Sequence, residues 1–163
     1  MNEKLKQLLK AMYQSVDAIG KIVHREDLHE AAVMEMAQYM MYLSASDGRI
    51  RWTEAKIISD YLELELTPDT IQNFIEENHI YSAQFEKSVP VIFRLLVETD
   101  NELIKRGVKM SVYASEWMVA AYKGLGLELI KADADVGGNE YTDILIYVKM
   151  LEDYLAANLL AKA

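Results

Sequence analysis

Apolar residues return at three- and four-residue steps through the start of the chain, at Leu5, Leu8, Leu9, Met12, Val16 and Ile19. That spacing lines one face of a helix and predicts helix from about residue 3 to the low twenties. Leu28, Ala32, Met36, Met40 and Leu43 repeat the pattern, predicting a second helix over roughly 27–46. Asp47-Gly48 closes it, since glycine takes the left-handed conformation that ends helices. Thr53 stands where an N-cap belongs, with Glu54 near the positive end of the following helix dipole. Thr67-Pro68 joins a capping hydroxyl to a proline at the first helical position and opens a short helix to about Asn78. Ser82 and Ser88-Val89-Pro90 mark a further start, with helix through the nineties. Helix is expected again over about 111–132, weakened by about 1 kcal/mol at each of Gly124 and Gly126. A last helix over about 140–160 turns Ile144, Tyr147, Val148, Leu151 and Leu155 inward. The expected fold class is all-α, a single-domain bundle of about six or seven helices.

The pattern also repeats at longer range. An offset of 86 positions lays "SDGRIRWTEAKIISDYL" on "ADADVGGNEYTDILIYV", so that Asp47 meets Asp133, Ile50 meets Val136, Glu54 meets Glu140, Ile58 meets Ile144 and Tyr61 meets Tyr147. The same offset brings the first two predicted helices onto the segments at about 89–109 and 113–132. An internal pseudo-twofold repeat follows as an expectation, with halves at about 1–65 and 89–160 and a bridging helix at about 68–78.

Composition narrows the chemistry. Hydrophobic residues make up 52% of the 163 and charged residues 26%, a globular balance with enough length for a core. Cysteine is absent, which removes thiolate metal sites and thiol nucleophiles and fits a reducing cytoplasm. The first twenty residues are charged throughout and lack the continuous apolar block of a signal peptide. No segment has the roughly 18 uninterrupted apolar residues of a membrane span. The net charge of −9 is spread along the chain with no Lys/Arg cluster, which disfavours nucleic acid and favours cationic ligands.

Asp47, Gly48, Ile50 and Glu54 match positions 5, 6, 8 and 12 of a calcium-binding EF-hand loop, but positions 1 and 3 are Leu43 and Ala45. The second copy has Leu129 and Lys131 there, and Ala134 in place of glycine. Two accounts are open. In the structural one, Asp47 and Asp133 bond backbone amides of the turns while Ile50 and Val136 plug the core. In the functional one, Asp47, Glu54, Asp133, Asp135 and Glu140 form an open, weak site for a divalent cation.

Asp47-Gly48-Arg49-Ile50 with Glu54, and Asp133-Ala134-Asp135-Val136 with Glu140, resemble the repeated turn-helix signature of the TerB-like tellurite-resistance family. The resemblance covers most of the chain. It implies an all-helical pseudo-twofold fold, affinity for divalent metal through acidic residues, and an association with tellurite and other stress responses. Related domains also occur as interaction modules, including in DnaJ-type cochaperones, which makes other proteins or a second copy the implied partners.

Glu26-x-x-His29 and Glu76-x-x-His79 repeat the half-motif of di-iron carboxylate bundles, though the further core glutamates such a site needs are not evident. His24 is expected at a surface or helix-end turn. Met34, Met36, Met40 and Met41 offer thioethers to soft copper, but Met36 and Met40 sit at core spacing. No phosphate loop or nucleophile-base pattern stands out, so a non-enzymatic role is expected.

Overall fold

The computed structural model describes residues 2–45, 50–80, 88–132 and 139–161, without the side chains of 132, 139 and 140. Asp47, Asp133 and Asp135 therefore lie outside the described residues, as does the side chain of Glu140. Seven α-helices and no strand occur among the described residues. They are α1 (Glu3–Ile22), α2 (Leu28–Ala45), α3 (Trp52–Leu62), α4 (Pro68–Asn78), α5 (Val91–Lys105), α6 (Ala114–Ala132) and α7 (Asn139–Asn158).

Local chemistry sets the ends. Asn2 caps α1, its Oδ1 accepting from the amides of Lys4 and Leu5 at 3.0 and 3.2 Å. At the other end the Arg25 amide donates to the Gly20 carbonyl at 2.8 Å. The returning chain comes so close that a Cβ on Gly20 would meet the Arg25 carbonyl oxygen at 2.7 Å. The start of α4 is as the sequence predicts, with Thr67 accepting from the Thr70 amide at 3.2 Å and Pro68 at the first helical position. The start of α3 is not. Thr53 lies inside the helix, Arg51 holds the cap position, and Glu54 reaches back to accept from the Arg51 amide at 3.0 Å. A long carboxylate at the third helical position can satisfy the cap amide by itself, so the hydroxyl is not needed. Helix α6 likewise begins at Ala114 rather than near 111, where Glu116 accepts from the Tyr113 amide at 3.0 Å.

Helices α2 and α6 touch each other and most of the rest. Helix α1 packs chiefly on α6 and less on α2, α5 packs on α6 and α2, and α3 does the same. Helix α7 packs mainly on α6, while α4 lies on α2 and α3. The buried apolar side chains of all seven form one continuous cluster. Met36, Met40 and Met41 are inside it, as are Ile144, Tyr147, Val148, Leu151 and Leu155 of α7. The two glycines of α6 are places of close approach: a Cβ at Gly124 would meet Leu5 Cδ1 at 2.6 Å, and one at Gly126 would meet the Tyr39 hydroxyl oxygen at 2.6 Å. No helix of the described residues is long and apolar enough to cross a membrane.

Candidate functional site

Glu54 is the one member of the acidic set whose side chain is described. It is 1% exposed in the first turn of α3, and its Oε1 holds the Arg51 amide. Burying a carboxylate is costly unless donors surround it. That bond makes Glu54 an anchor of the start of α3. Glu140 occupies the corresponding first turn of α7. Among the described residues no three His, Asp or Glu side chains gather closely enough to hold a metal ion.

The two Glu-x-x-His pairs are not the paired ligands that the di-iron pattern would require. Glu26 precedes the start of α2, so it and His29 do not share a helical face. His29 instead places Nδ1 2.9 Å from Asp17 Oδ1 on α1. His79 ends α4 as its cap, with φ of 52°. His24 has φ of 57° in the turn after α1, as a helix-end residue would.

His29 and Asp17 belong to a groove of about 650 Å³ between α1 and the end of α3, with α2 contributing Val33. Its wall carries a flat stack of Tyr13 on His29, the ring centroids 4.4 Å apart and the planes 10° from parallel. The Tyr13 hydroxyl is buried and has no hydrogen-bond partner among the described residues. Burial, and then the nearby charge of Glu63, push its pKa up, so it stays a neutral phenol. At one end of the groove the Asn2 amide donates to the Tyr61 hydroxyl at 2.8 Å, and Asn2 Nδ2 donates to Glu128 Oε1 at 3.0 Å.

Two carboxylates, Glu35 half-buried and Asp100 buried, do work the sequence did not reveal. Glu35 on α2 accepts from the Ile92 amide through both oxygens, at 3.1 and 3.0 Å, capping α5 from across the fold. Asp100, 1% exposed on α5, accepts from the Ser115 amide at 3.0 Å and hydroxyl at 2.6 Å, capping α6 in the same way. Burial raises the pKa of both. The signal was available, since each acid stands on its helix's apolar stripe, Glu35 beside Ala32 and Met36, Asp100 beside Leu96 and Val97. Sequence could not say what each would bond.

Tyr39, Tyr122 and Tyr147 form the aromatic centre. Tyr39 meets Tyr122 edge-on at 5.0 Å and stacks on Tyr147 at 4.7 Å. The hydroxyls of Tyr39 and Tyr122 are buried without a hydrogen-bond partner among the described residues, and burial drives the pKa of each upward. These phenols pack α2, α6 and α7 together, and after burial the nearby charge of Glu35 adds to the upward shift of Tyr122 and Tyr147. Comparison with protein-family models, with curated proteins and with solved structures finds no match for this chain.

Proposed function

We propose that the chain is a non-enzymatic, TerB-like stress-response protein, of the tellurite-resistance-associated type, that binds a divalent cation weakly through the acidic corners at Asp47, Glu54, Asp133, Asp135 and Glu140. The observation that carries this reading is Glu54, a buried carboxylate fixed at the head of α3, seven residues after Asp47. The helix order supports the 86-residue correspondence on which the pairing of the corners rests. Under that offset α1, α2 and α3 fall on α5, α6 and α7. Asn2, bonded to Tyr61, falls on Ser88, which lines a pocket with Tyr147. The net charge of −9 attracts cations from solution.

Titration of chelator-treated protein with Ca²⁺, Mg²⁺, Mn²⁺ and Zn²⁺ tests the proposal, because an ion that binds only the folded state raises its melting temperature. At least one ion should bind and stabilise at millimolar concentration. Asp47→Asn and Glu54→Gln should reduce that gain, while relief of carboxylate repulsion raises ion-free stability for Asp47→Asn. A flat titration with an unchanged melting temperature removes the cation.

A second reading, a cochaperone-like interaction module without metal, draws on exposed apolar residues near the heads of α3 and α7. Trp52 is 69% exposed at the start of α3, and Tyr141, Leu145 and Ile146 face solvent on α7. Loss of a co-purifying protein on Trp52→Ala, together with a flat ion titration, favours it.

A further inference from the structure

We propose that the groove between α1 and the end of α3 is a docking site for a basic amphipathic helix of a partner protein. The proposal rests on the 86-residue correspondence and is independent of the cation.

The second half of the chain shows what such a groove receives. Past Tyr147, α7 continues on α6, and its end also meets α5. Tyr154 packs against Phe93 with ring centroids 5.7 Å apart, Asn101 Nδ2 donates to the Asn158 carbonyl at 2.7 Å, and the Leu160 amide donates to Asn101 Oδ1 at 2.8 Å. Leu151, Leu155 and Leu159 are buried along this run. The first half has no such run. Helix α3 is 11 residues long against 20 for α7, and ends at Leu62, the counterpart of Val148. Glu63, at φ of 55°, then turns the chain away into α4. Phe93 and Asn101 correspond to Gln7 and Ser15 of α1, and the groove runs along α1 from Glu3 to Asp17, past Gln7. No residue of α4 lines it. The place that the end of α7 takes on α6 and beside α5 is thus open on α2 and beside α1.

Its dimensions and chemistry define the occupant. Fourteen helical steps from Glu3 to Asp17 span about 21 Å, enough for a partner helix of about a dozen residues. Leu9 and Leu62 are buried and Tyr13 and Val33 partly buried at the apolar base, which suits leucines and an aromatic at helical spacing. The charged rim has Glu3, Asp17, Asp60 and Glu63 against Lys6 and Lys10. Asp60 is paired to Lys56 at 2.8 Å and Asp17 to the His29 ring at 2.9 Å, which leaves Glu3 and Glu63 as the acids of the groove's own wall without an ion pair among the described residues. Acid prevails, so the occupant is basic. A second copy of a chain with net charge −9 meets that rim with repulsion.

The test uses the full chain and a fluorescein-labelled synthetic peptide of about 14 residues, with leucines and one tyrosine in the spacing of Leu151, Tyr154, Leu155 and Leu159 and Lys or Arg elsewhere. Fluorescence anisotropy should show saturable binding with Kd on the order of tens of micromolar, weakening with salt. A peptide with Glu in place of Lys and Arg should bind at least about tenfold more weakly. Val33→Gln, and separately Asp60→Lys with Glu63→Lys, should each weaken binding about fivefold or more with the melting curve retained. Because the chain has no cysteine, Lys10→Cys carries a single environment-sensitive dye whose emission should shift on peptide addition. No binding, equal binding of the acidic peptide, or binding indifferent to the groove variants overturns the proposal. So does a dye shift produced by raising the protein concentration alone, which assigns the groove to a second copy. An experimental structure separates the two layers: halves that do not superpose overturn the correspondence, and halves that superpose without peptide binding overturn the docking alone.

Discussion

Asp100 shows how one buried acid sets a pH dependence. Burial raises its pKa, against the downward pull of the hydrogen bonds from Ser115 and Ala114. A carboxylate whose folded pKa exceeds its unfolded value contributes stability that is present below the unfolded value and lost as pH rises through the folded one. Asp100→Asn removes the titration and retains an acceptor. Urea midpoints of the native chain and of the Asp100→Asn variant, measured at about pH 4.5 and 7, should show the native chain losing ground as pH rises. A native advantage that grows with pH contradicts this account. Gly126 gives a second residue-scale expectation. A methyl there meets the Tyr39 hydroxyl oxygen at 2.6 Å and Ile144 Cγ1 at 3.0 Å, so Gly126→Ala should cost about 1–3 kcal/mol despite its better helix propensity. Thermal or urea denaturation checks it.

At the scale of elements, apolar spacing was legible because it needs only near neighbours. The inward faces of α1, α2 and α7 follow directly from residues such as Met12, Ala32 and Leu151. The start of α4 was also legible, since Thr67 and Pro68 act within one turn, and Thr67→Ala should destabilise by about 1 kcal/mol in a denaturation curve. The starts of α5 and α6 were harder because their caps arrive from elsewhere, Glu35 being 57 residues from Ile92 and Asp100 being 15 from Ser115. At α3 the cap was misplaced because Glu54 takes the Arg51 amide from the third helical position, which starts the helix one residue before Thr53. Of the acidic set only Glu54 has a described side chain, and it is a helix anchor. The groove was illegible for a different reason: the local motif pairs His29 with Glu26, whereas Asp17, His29 and Glu63 meet only when three helices pack.

For the whole molecule, the earlier and later helices interlock instead of standing side by side. Helix α1 leans more on α6 than on its neighbour α2, and α3 also reaches α6. Asn2 ties the start of α1 to Tyr61 and to Glu128 of α6. Burial works to raise the Glu128 pKa, but bonds from Asn2, Lys131 and Tyr61 hold it below the usual carboxylate range. A fragment of residues 1–80 lacks α6 and should show no cooperative melting transition, while the full chain unfolds in a single step. A fragment that melts cooperatively near the full-chain temperature would show that the first half is self-sufficient.

The pairing of α1 with α6 also fixes an order of events on the ribosome. The main partner of the first helix begins at Ala114, so more than a hundred residues are synthesised before that face can be covered. At roughly 5–20 residues per second the interval is several seconds or longer. During that time the part of the row Leu5, Leu9, Met12 and Val16 that α6 covers stays open, where a chaperone or a neighbouring nascent chain can contact it. Ribosome-stalled chains ending at about residue 110 should therefore leave α1 open to proteolysis, and chains long enough to release α6 from the exit tunnel should protect it.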